Sequence, residues 1–158
     1  MARLCRTNGP LLVGLPDGVD GVKLLWAICG KETSYGQNCV PRHEKAYCLG
    51  GRYYQKASDQ EWGCASHMSY GPWQVMHANT PTADPVKLLT SPTICADFMV
   101  MAMNRMLKAQ QPPTLEAIAD MWNSGNWRDA AVPVDYISWV VKAYAEAAST
   151  LVNAAPAE

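Results

Sequence analysis

The stretch "GKETSYGQN", residues 30–38, places a carboxylate, Glu32, where an apolar segment gives way to a turn. A carboxyl at the C-terminal end of a helix meets the negative end of the macrodipole, which disfavours its charged form and raises its pKa. Burial beside Trp or Tyr pushes the same way. A general acid that must hold its proton near neutral pH needs that environment, and glycoside hydrolysis is the reaction class that most often uses one. An isolated Glu after a helix is usually just solvated. Glu32 therefore becomes a site candidate only if other residues converge on it.

A second set of chemically capable residues lies just beyond. His43, Cys48, Cys64 and His67 read as H-x4-C-x15-C-x2-H and offer four zinc ligands, although the spacing is only loosely finger-like and lacks a tight C-x2-C pair. The chain has six cysteines in all, at 5, 29, 39, 48, 64 and 95. An even count of this size suits a disulfide framework in an oxidising compartment, which is the favoured reading, and the spacing leaves the pairing open.

The elements that must position these residues follow from caps and periodicity. Asp20 caps a helix whose apolar positions Val22, Leu25, Trp26 and Cys29 recur every three or four residues and which ends near Gly30 and Glu32. Residues 34–69 show no sustained period and read as a long irregular lobe stapled by cysteines, with a short hairpin around "LGGRYYQ". "SPTICADFMVMAMNRMLKAQ" has Ser91 as cap and Pro92 at the first helical position, and apolar residues cover nearly all of its surface, so it reads as a central, buried helix. Thr114 caps a further helix that stops at Ser124-Gly125. "PVDYISWVVKAYAEAASTLV" puts Tyr136, Val140, Val141 and Tyr144 on one face, and "NAAPAE" reads as a frayed end. The fold class expected is mainly α, or α+β, over a single domain spanning residues 1–158.

At 158 residues the chain is long enough for a core of its own. With 13 Lys plus Arg against 14 Asp plus Glu and no basic run, no nucleic-acid partner is expected. No apolar run approaches the roughly 20 residues that span a bilayer, and the first residues lack the apolar core of a signal peptide, so the chain is expected to be soluble.

Three segments in order sharpen the reading of Glu32. "GKETSYGQN", "MSYGPWQVMHANT" (68–80) and "IADMWNSGN" leading to "VPVDYISWVVKAY" (118–144) resemble the successive motifs of the lysozyme-like lytic transglycosylases and related muramidases. That family has a Glu-Ser motif closing a helix, a Ser-x-Gly-x-x-Gln motif, and a Tyr-Asn-x-Gly motif followed by a Tyr-Val or Tyr-Ile pair. The resemblance covers about residues 20–144, and three motifs in order are more specific than any one.

The resemblance implies a lysozyme-like helical domain with the cysteine-rich lobe beside an active-site cleft. It makes Glu32 the catalytic acid and Gln74 a residue lining the sugar cleft, with Ser69, Tyr70 and Trp73 of the same segment as further substrate-binding candidates. Asn123 and Gly125 match the Asn-x-Gly turn, and Tyr136 matches a tyrosine whose hydroxyl points at the acid. Thr33 replaces the usual serine but keeps a hydroxyl; Trp122 replaces the usual tyrosine but keeps an aromatic surface. "VPRHEKAYCLGGRYY" is similar to a segment of phage-type muramidases and supplies Glu44 as second carboxylate. A separation of about 5–9 Å from Glu32 would let it support a water or a developing cation. Asp59 and Glu61 stand behind it, and an ion pair with Arg42 or Arg52 is the plain alternative for Glu44.

The implied substrate is the peptidoglycan glycan strand, cleaved at the β-1,4 bond between N-acetylmuramic acid and N-acetylglucosamine. With no assured second carboxylate, a lytic transglycosylase giving 1,6-anhydro ends is favoured over a hydrolytic lysozyme; a non-catalytic glycan-binding domain is the rival from another class. No metal or cofactor is required, a monomer is expected, and the site of action is the periplasm, the cell exterior or a wall reached by phage delivery. Each residue also has a plainer reading. Gln74 can satisfy backbone groups in a turn, Tyr136 can be core, and Asn123-Ser124-Gly125 stops a helix in any protein. Trp62, Trp73 and Trp127 lie in loop-like segments where a ring can stack on a sugar; Trp26, Trp122 and Trp139 read as core or cleft wall. His43, His67 and His77 read as polar surface or loop residues.

Overall fold

The structure, a computed structural model, describes residues 1–80, 82–128 and 133–153, without the side chains of Asn79, Val152 and Asn153. Among the described residues the protein is mainly helical. Its helices are α1 (Ala2–Asn8), α2 (Gly21–Thr33), α3 (Lys56–Trp62), α4 (Pro85–Thr90), α5 (Pro92–Gln110), α6 (Leu115–Ser124) and α7 (Val134–Asn153). Three short strands, β1 (Arg42–His43), β2 (Met68–Tyr70) and β3 (Val75–Met76), form one antiparallel sheet in the order β1-β2-β3. Of the stretch 153–158, expected to fray, Asn153 is the last residue of α7, and 154–158 lie outside the described residues.

Local signals explain where the long helices begin and end. Asp20 accepts hydrogen bonds from Val22 N (2.7 Å) and Lys23 N (3.1 Å), Ser91 accepts from Ile94 N with Pro92 at the first position, and Thr114 accepts from Ala117 N. Each cap satisfies backbone donors that the first turn leaves unpaired. Gly125 closes α6 in the left-handed conformation (φ 86°), which costs a residue without Cβ little.

The most continuously buried helix is α2, where every residue from Leu24 to Gly30 is buried. The central burial expected of α5 holds for one broad face, Cys95, Ala96, Met99, Val100, Met103 and Leu107, whereas Met101 and Arg105 reach solvent. The apolar excess on α5 overstates its burial because long apolar side chains also sit at protein surfaces. Around α2 pack α1, α5, α6 and α7. Tyr144 of α7 reaches back to the start of α2, its hydroxyl accepting from Asp20 N at 2.6 Å.

Three helices lie where no sequence signal was read, and one of them, α3, falls inside the stretch expected to be irregular. Helix α1 has no side-chain cap; Cys5 buried in the core and an Arg6 Nη1 to Leu151 O bond of 2.7 Å tie it down. Helix α4 begins at an Asp84 cap with Pro85 behind it. The hairpin expected around "LGGRYYQ" is instead a pair of turns, with Gly51 N bonded to Cys48 O (2.7 Å) and Tyr53 N to Ala46 O (2.8 Å), followed by α3.

The expected disulfide framework is not formed: all six cysteines are free. Cys5, Cys29 and Cys95 are buried as small apolar groups, and burial pushes their thiols up to about 12. Without pairs, the cysteine count no longer argues for an oxidising compartment. Among the described residues, no helix is long and apolar enough to cross a membrane.

Candidate active site

Glu32 is the penultimate residue of α2, and its side chain keeps only 5% of its surface exposed. The chain beyond it reverses through three successive left-handed residues, Ser34 (φ 51°), Tyr35 (φ 60°) and Gly36 (φ 83°). Two of these carry a Cβ in a region they seldom occupy, so surrounding contacts must hold the reversal. Tyr35 stacks on Trp26 with ring centroids 4.4 Å apart. Gly30 makes that possible, because a Cβ there would lie 2.5 Å from the Tyr35 ring and 2.7 Å from that of Trp139.

Thr33 ties this end of α2 to the turn between β2 and β3. Its buried hydroxyl lies 2.7 Å from the Pro72 carbonyl, to which it donates, and accepts from Gly36 N at 3.0 Å. The "ETSYG" and "SYGPWQV" segments are thus joined through the residue that departs from the serine of the resembled family.

Two side chains meet the Glu32 carboxyl directly. Tyr136, buried on α7, donates to Oε1 at 2.6 Å, and Arg42 Nη1 of β1 lies 3.6 Å from Oε2. Arg42 Nε in turn bonds Glu44 Oε1 at 2.8 Å, so one guanidinium bridges the two carboxylates. The Glu32 carboxyl is held above the usual glutamate range, first because burial penalises its charge. The Tyr136 bond and Arg42 pull it down and the nearby Glu44 charge pushes it up, and burial outweighs these. The Tyr136 phenol is raised by burial and by the neighbouring Glu32 charge; Asn123 bonds to it from α6.

A concavity lined by Glu32, Arg42, Glu44, Gln74, Trp122 and Asn123 opens on this cluster, with Met76 and Met106 as its apolar floor. It runs into a groove of about 480 Å³ that continues past Trp122 and Asn123 to Tyr47, Arg52 and Tyr53. That volume is in the range of sites that take small organic ligands.

The structure therefore brings Glu32, Glu44, Gln74, Tyr136, Asn123 and Ser69 together, with Ser69 and Gln74 serving mainly to hold others. Ser69 is fully buried and donates to Glu44 Oε1 at 2.8 Å, which fixes that carboxylate from beneath. The Gln74 amide donates to Gly71 O (3.1 Å) and Val40 O (3.4 Å), so it satisfies the turn while presenting its edge to the pocket. For Glu44 the ion pair with Arg42 is present, and Arg52 lines the outer groove.

Trp73 and Tyr70 do not join the cluster. Trp73 has no exposed surface, and its indole N–H donates to Leu25 O at 2.8 Å, inside the core. Tyr70 is buried against Ala83 and Leu88 and donates to Ala65 O at 2.8 Å. Alternation along β2 points Ser69 to the cleft and Tyr70 away from it. The loop-like tryptophans are likewise occupied: Trp62 packs edge-on to His77, and Trp127 donates to Gln110 O at 3.1 Å under the Arg128 guanidinium. Two histidines expected at the surface are buried. His77 Nε2 meets Ala83 O at 2.9 Å and burial lowers its pKa, and His67 sits at the lobe interior.

The cleft cation Arg42, the floor methionines and the rim tyrosines Tyr47 and Tyr53 were not among the expected ligand-binding residues. The two tyrosines, whose rings lie 5.3 Å apart, sit in the same "VPRHEKAYCLGGRYY" segment that carries Glu44. No family model, curated protein or solved structure matches the chain.

Proposed function

We propose that the protein is a glycosidase of the cell wall, cleaving the β-1,4 bond between N-acetylmuramic acid and N-acetylglucosamine with Glu32 as general acid. The observation that carries this is the buried Glu32 carboxyl, its pKa raised by that burial, bonded at 2.6 Å to Tyr136 and opening on a concavity that runs into a groove of about 480 Å³. The peptidoglycan assignment within the glycans is supported by the ordered resemblance of the Glu32, Gln74, Asn123 and Tyr136 segments to the lytic transglycosylases.

In the reaction, protonated Glu32 donates to the glycosidic oxygen while positive charge develops at the anomeric carbon. The resulting carboxylate accepts the proton of the attacking hydroxyl. Tyr136 fixes one oxygen of Glu32, so that the other is directed to the scissile bond and the acid is pre-positioned. Trp122 offers an apolar wall for a sugar face.

The choice of nucleophile turns on Glu44. Its Oε1 is engaged by both Arg42 Nε and Ser69 Oγ, each at 2.8 Å. Those two bonds give Glu44 a holding role between β1 and β2, which favours attack by the muramic acid's own 6-hydroxyl and release of 1,6-anhydro ends. Arg42, shared with Glu32, serves to keep the two negative charges compatible.

Mass spectrometry of products released from purified peptidoglycan tests the reading. Wild-type protein is expected to give 1,6-anhydro-muramyl ends, and Glu32→Gln none. Reducing ends would move the assignment to a hydrolytic lysozyme using Glu44. Retained wall binding with no product from the wild type would leave a glycan-binding domain and overturn catalysis.

A further inference from the structure

Outside the cleft, one cluster of ligating side chains is unexplained by the glycosidase reading. His43 at the end of β1, Cys48 after the 3₁₀ turn Lys45–Tyr47, and His67 just before β2 bring one donor atom each to within 4.8 Å of one another. Cys48 Sγ and His43 Nε2 are 3.2 Å apart. Two donors on one tetrahedral zinc, bound at about 2.3 Å and 2.0 Å, are separated by roughly 3.5 Å, so this pair is close to coordinating distance without rearrangement.

His67 supplies a second and independent sign. It is more than nine-tenths buried, and its Nε2 faces Asp59, whose Oδ1 lies 3.0 Å away as an ion-pair contact. Asp59 is itself held by Tyr54, whose hydroxyl donates to Oδ2 at 2.9 Å. A carboxylate at one ring nitrogen of a histidine, itself fixed from its far side, is the arrangement that orients metal-binding imidazoles, and it leaves Nδ1 of His67 for the ion.

The lobe also needs what a metal supplies. No residue from 34 to 65 is buried, so this stretch has no core, and its three cysteines Cys39, Cys48 and Cys64 form no disulfide. A segment of this length without a core is held by disulfides, by a metal or by its surroundings.

We propose that His43, Cys48 and His67 bind a structural zinc ion, or another borderline-soft divalent cation, that staples the lobe to the sheet. Cys48 binds as thiolate and releases its proton to solvent, and the two imidazoles bind neutral. The donor set of two nitrogens and one sulfur selects zinc over magnesium and calcium, which prefer oxygen. Cys64, exposed on the 3₁₀ turn that ends in His67, lies outside the cluster.

The ion would act on the cleft through the backbone. Glu44 lies between two of the ligands, and its N–H donates to His67 O at 2.7 Å. Loading the site therefore fixes the strand that presents Arg42 and Glu44, while Glu32 on α2 remains outside its reach. This proposal stands apart from the glycan assignment, and metal content can be read whether or not the protein cleaves peptidoglycan.

The test uses the full untagged chain, purified with reductant, dialysed against equimolar zinc and analysed by elemental mass spectrometry. One zinc per chain is expected for the wild type and for Cys39→Ser. His43→Ala and Cys48→Ser, both at solvent-accessible positions, are expected to weaken zinc binding by more than about 100-fold, beyond what loss of an outer-shell partner costs. Cobalt in place of zinc should give a near-ultraviolet thiolate charge-transfer band that Cys48→Ser lacks. Chelation of the wild type should lower its Tm, and added zinc should restore it. Folded wild type that takes up no zinc, or equal zinc retained by both variants, would overturn the proposal; the chelation and cobalt measurements on wild type decide it even if a variant fails to fold.

Discussion

Tyr136 donates its phenolic hydrogen to Glu32 at 2.6 Å, across 104 residues of sequence and from one helix to another. The bond stabilises the carboxylate and so works against the burial that raises the acid's pKa. Burial prevails, and the tyrosine's contribution is orientation, together with a moderated shift.

Removing that hydroxyl should therefore have two separable effects. Tyr136→Phe is expected to lower turnover by about 10- to 100-fold, the worth of a hydrogen bond to a charged group. It should also raise the Glu32 pKa further, since a contribution that lowers it is lost. The alkaline limb of the pH–rate profile should move to higher pH. A profile measured on peptidoglycan or a soluble glycan fragment checks both, and an alkaline limb moved to lower pH would contradict this account of the pair.

Glu32→Gln makes a prediction about stability that does not depend on any substrate. A carboxyl whose pKa is raised by folding binds its proton more tightly in the native state. Its favourable contribution is complete below the ordinary glutamate value of about 4.3 and is lost as pH rises through the higher native value. Glutamine never ionises and escapes that loss. The variant should match the wild type near pH 3.5 and melt higher at pH 8, with each 1 kcal/mol worth roughly 2–4 °C in a chain of this size. The lost Arg42 contact offsets little, because that arginine is half exposed and the contact is 3.6 Å long. Thermal melts at the two pH values settle the sign.

Which parts of this were readable in the sequence follows from the range of the forces involved. Helices α2, α5 and α6 announce themselves through Asp20, Ser91-Pro92, Thr114 and Gly125, because capping acts within one turn. Strands of two or three residues carry no alternation to detect: β1 lies inside the stretch without period, β2 at its end and β3 just beyond it. Trp73 shows the same limit. Its neighbours Gly71 and Pro72 mark a turn, but that the turn faces inward depends on Leu25 O, 48 residues earlier, accepting the indole N–H. The even cysteine count suggested pairs, whereas Cys5, Cys29 and Cys95 are core residues whose burial is set by α1, α2 and α5 packing together. The Glu32–Tyr136 contact was reachable only through the order of three motifs, since no local pattern links positions so far apart.

Glu44 distinguishes two chemistries by the size of one effect. If it only holds Arg42 and the β1 strand, Glu44→Gln keeps a partner for Ser69 and loses one partly exposed ion pair, worth about 1 kcal/mol or roughly fivefold in rate. If it activated water, the loss would approach that of Glu32→Gln, on the order of 10²–10⁴. The small effect, with unchanged anhydro products, is the expected outcome. Steady-state rates of the two variants on the same glycan make the comparison.

Thr33 carries the last prediction, because it fills the position where the resembled family has serine. Its hydroxyl satisfies the Pro72 carbonyl at 2.7 Å and Gly36 N at 3.0 Å in a fully packed setting. Thr33→Val preserves shape and β-branching but leaves both backbone groups without that partner, at a cost of about 1–3 kcal/mol. Thr33→Ser keeps the hydroxyl and gives up one buried methyl, at about 1 kcal/mol. Serine should therefore retain activity close to wild type, whereas valine should lose activity beyond its loss of stability, because the freed turn carries Gln74 and lets the Glu32 end of α2 shift. Denaturant midpoints paired with turnover for the two variants separate these effects. A valine variant with wild-type turnover would show that the hydroxyl joins the two segments for stability alone.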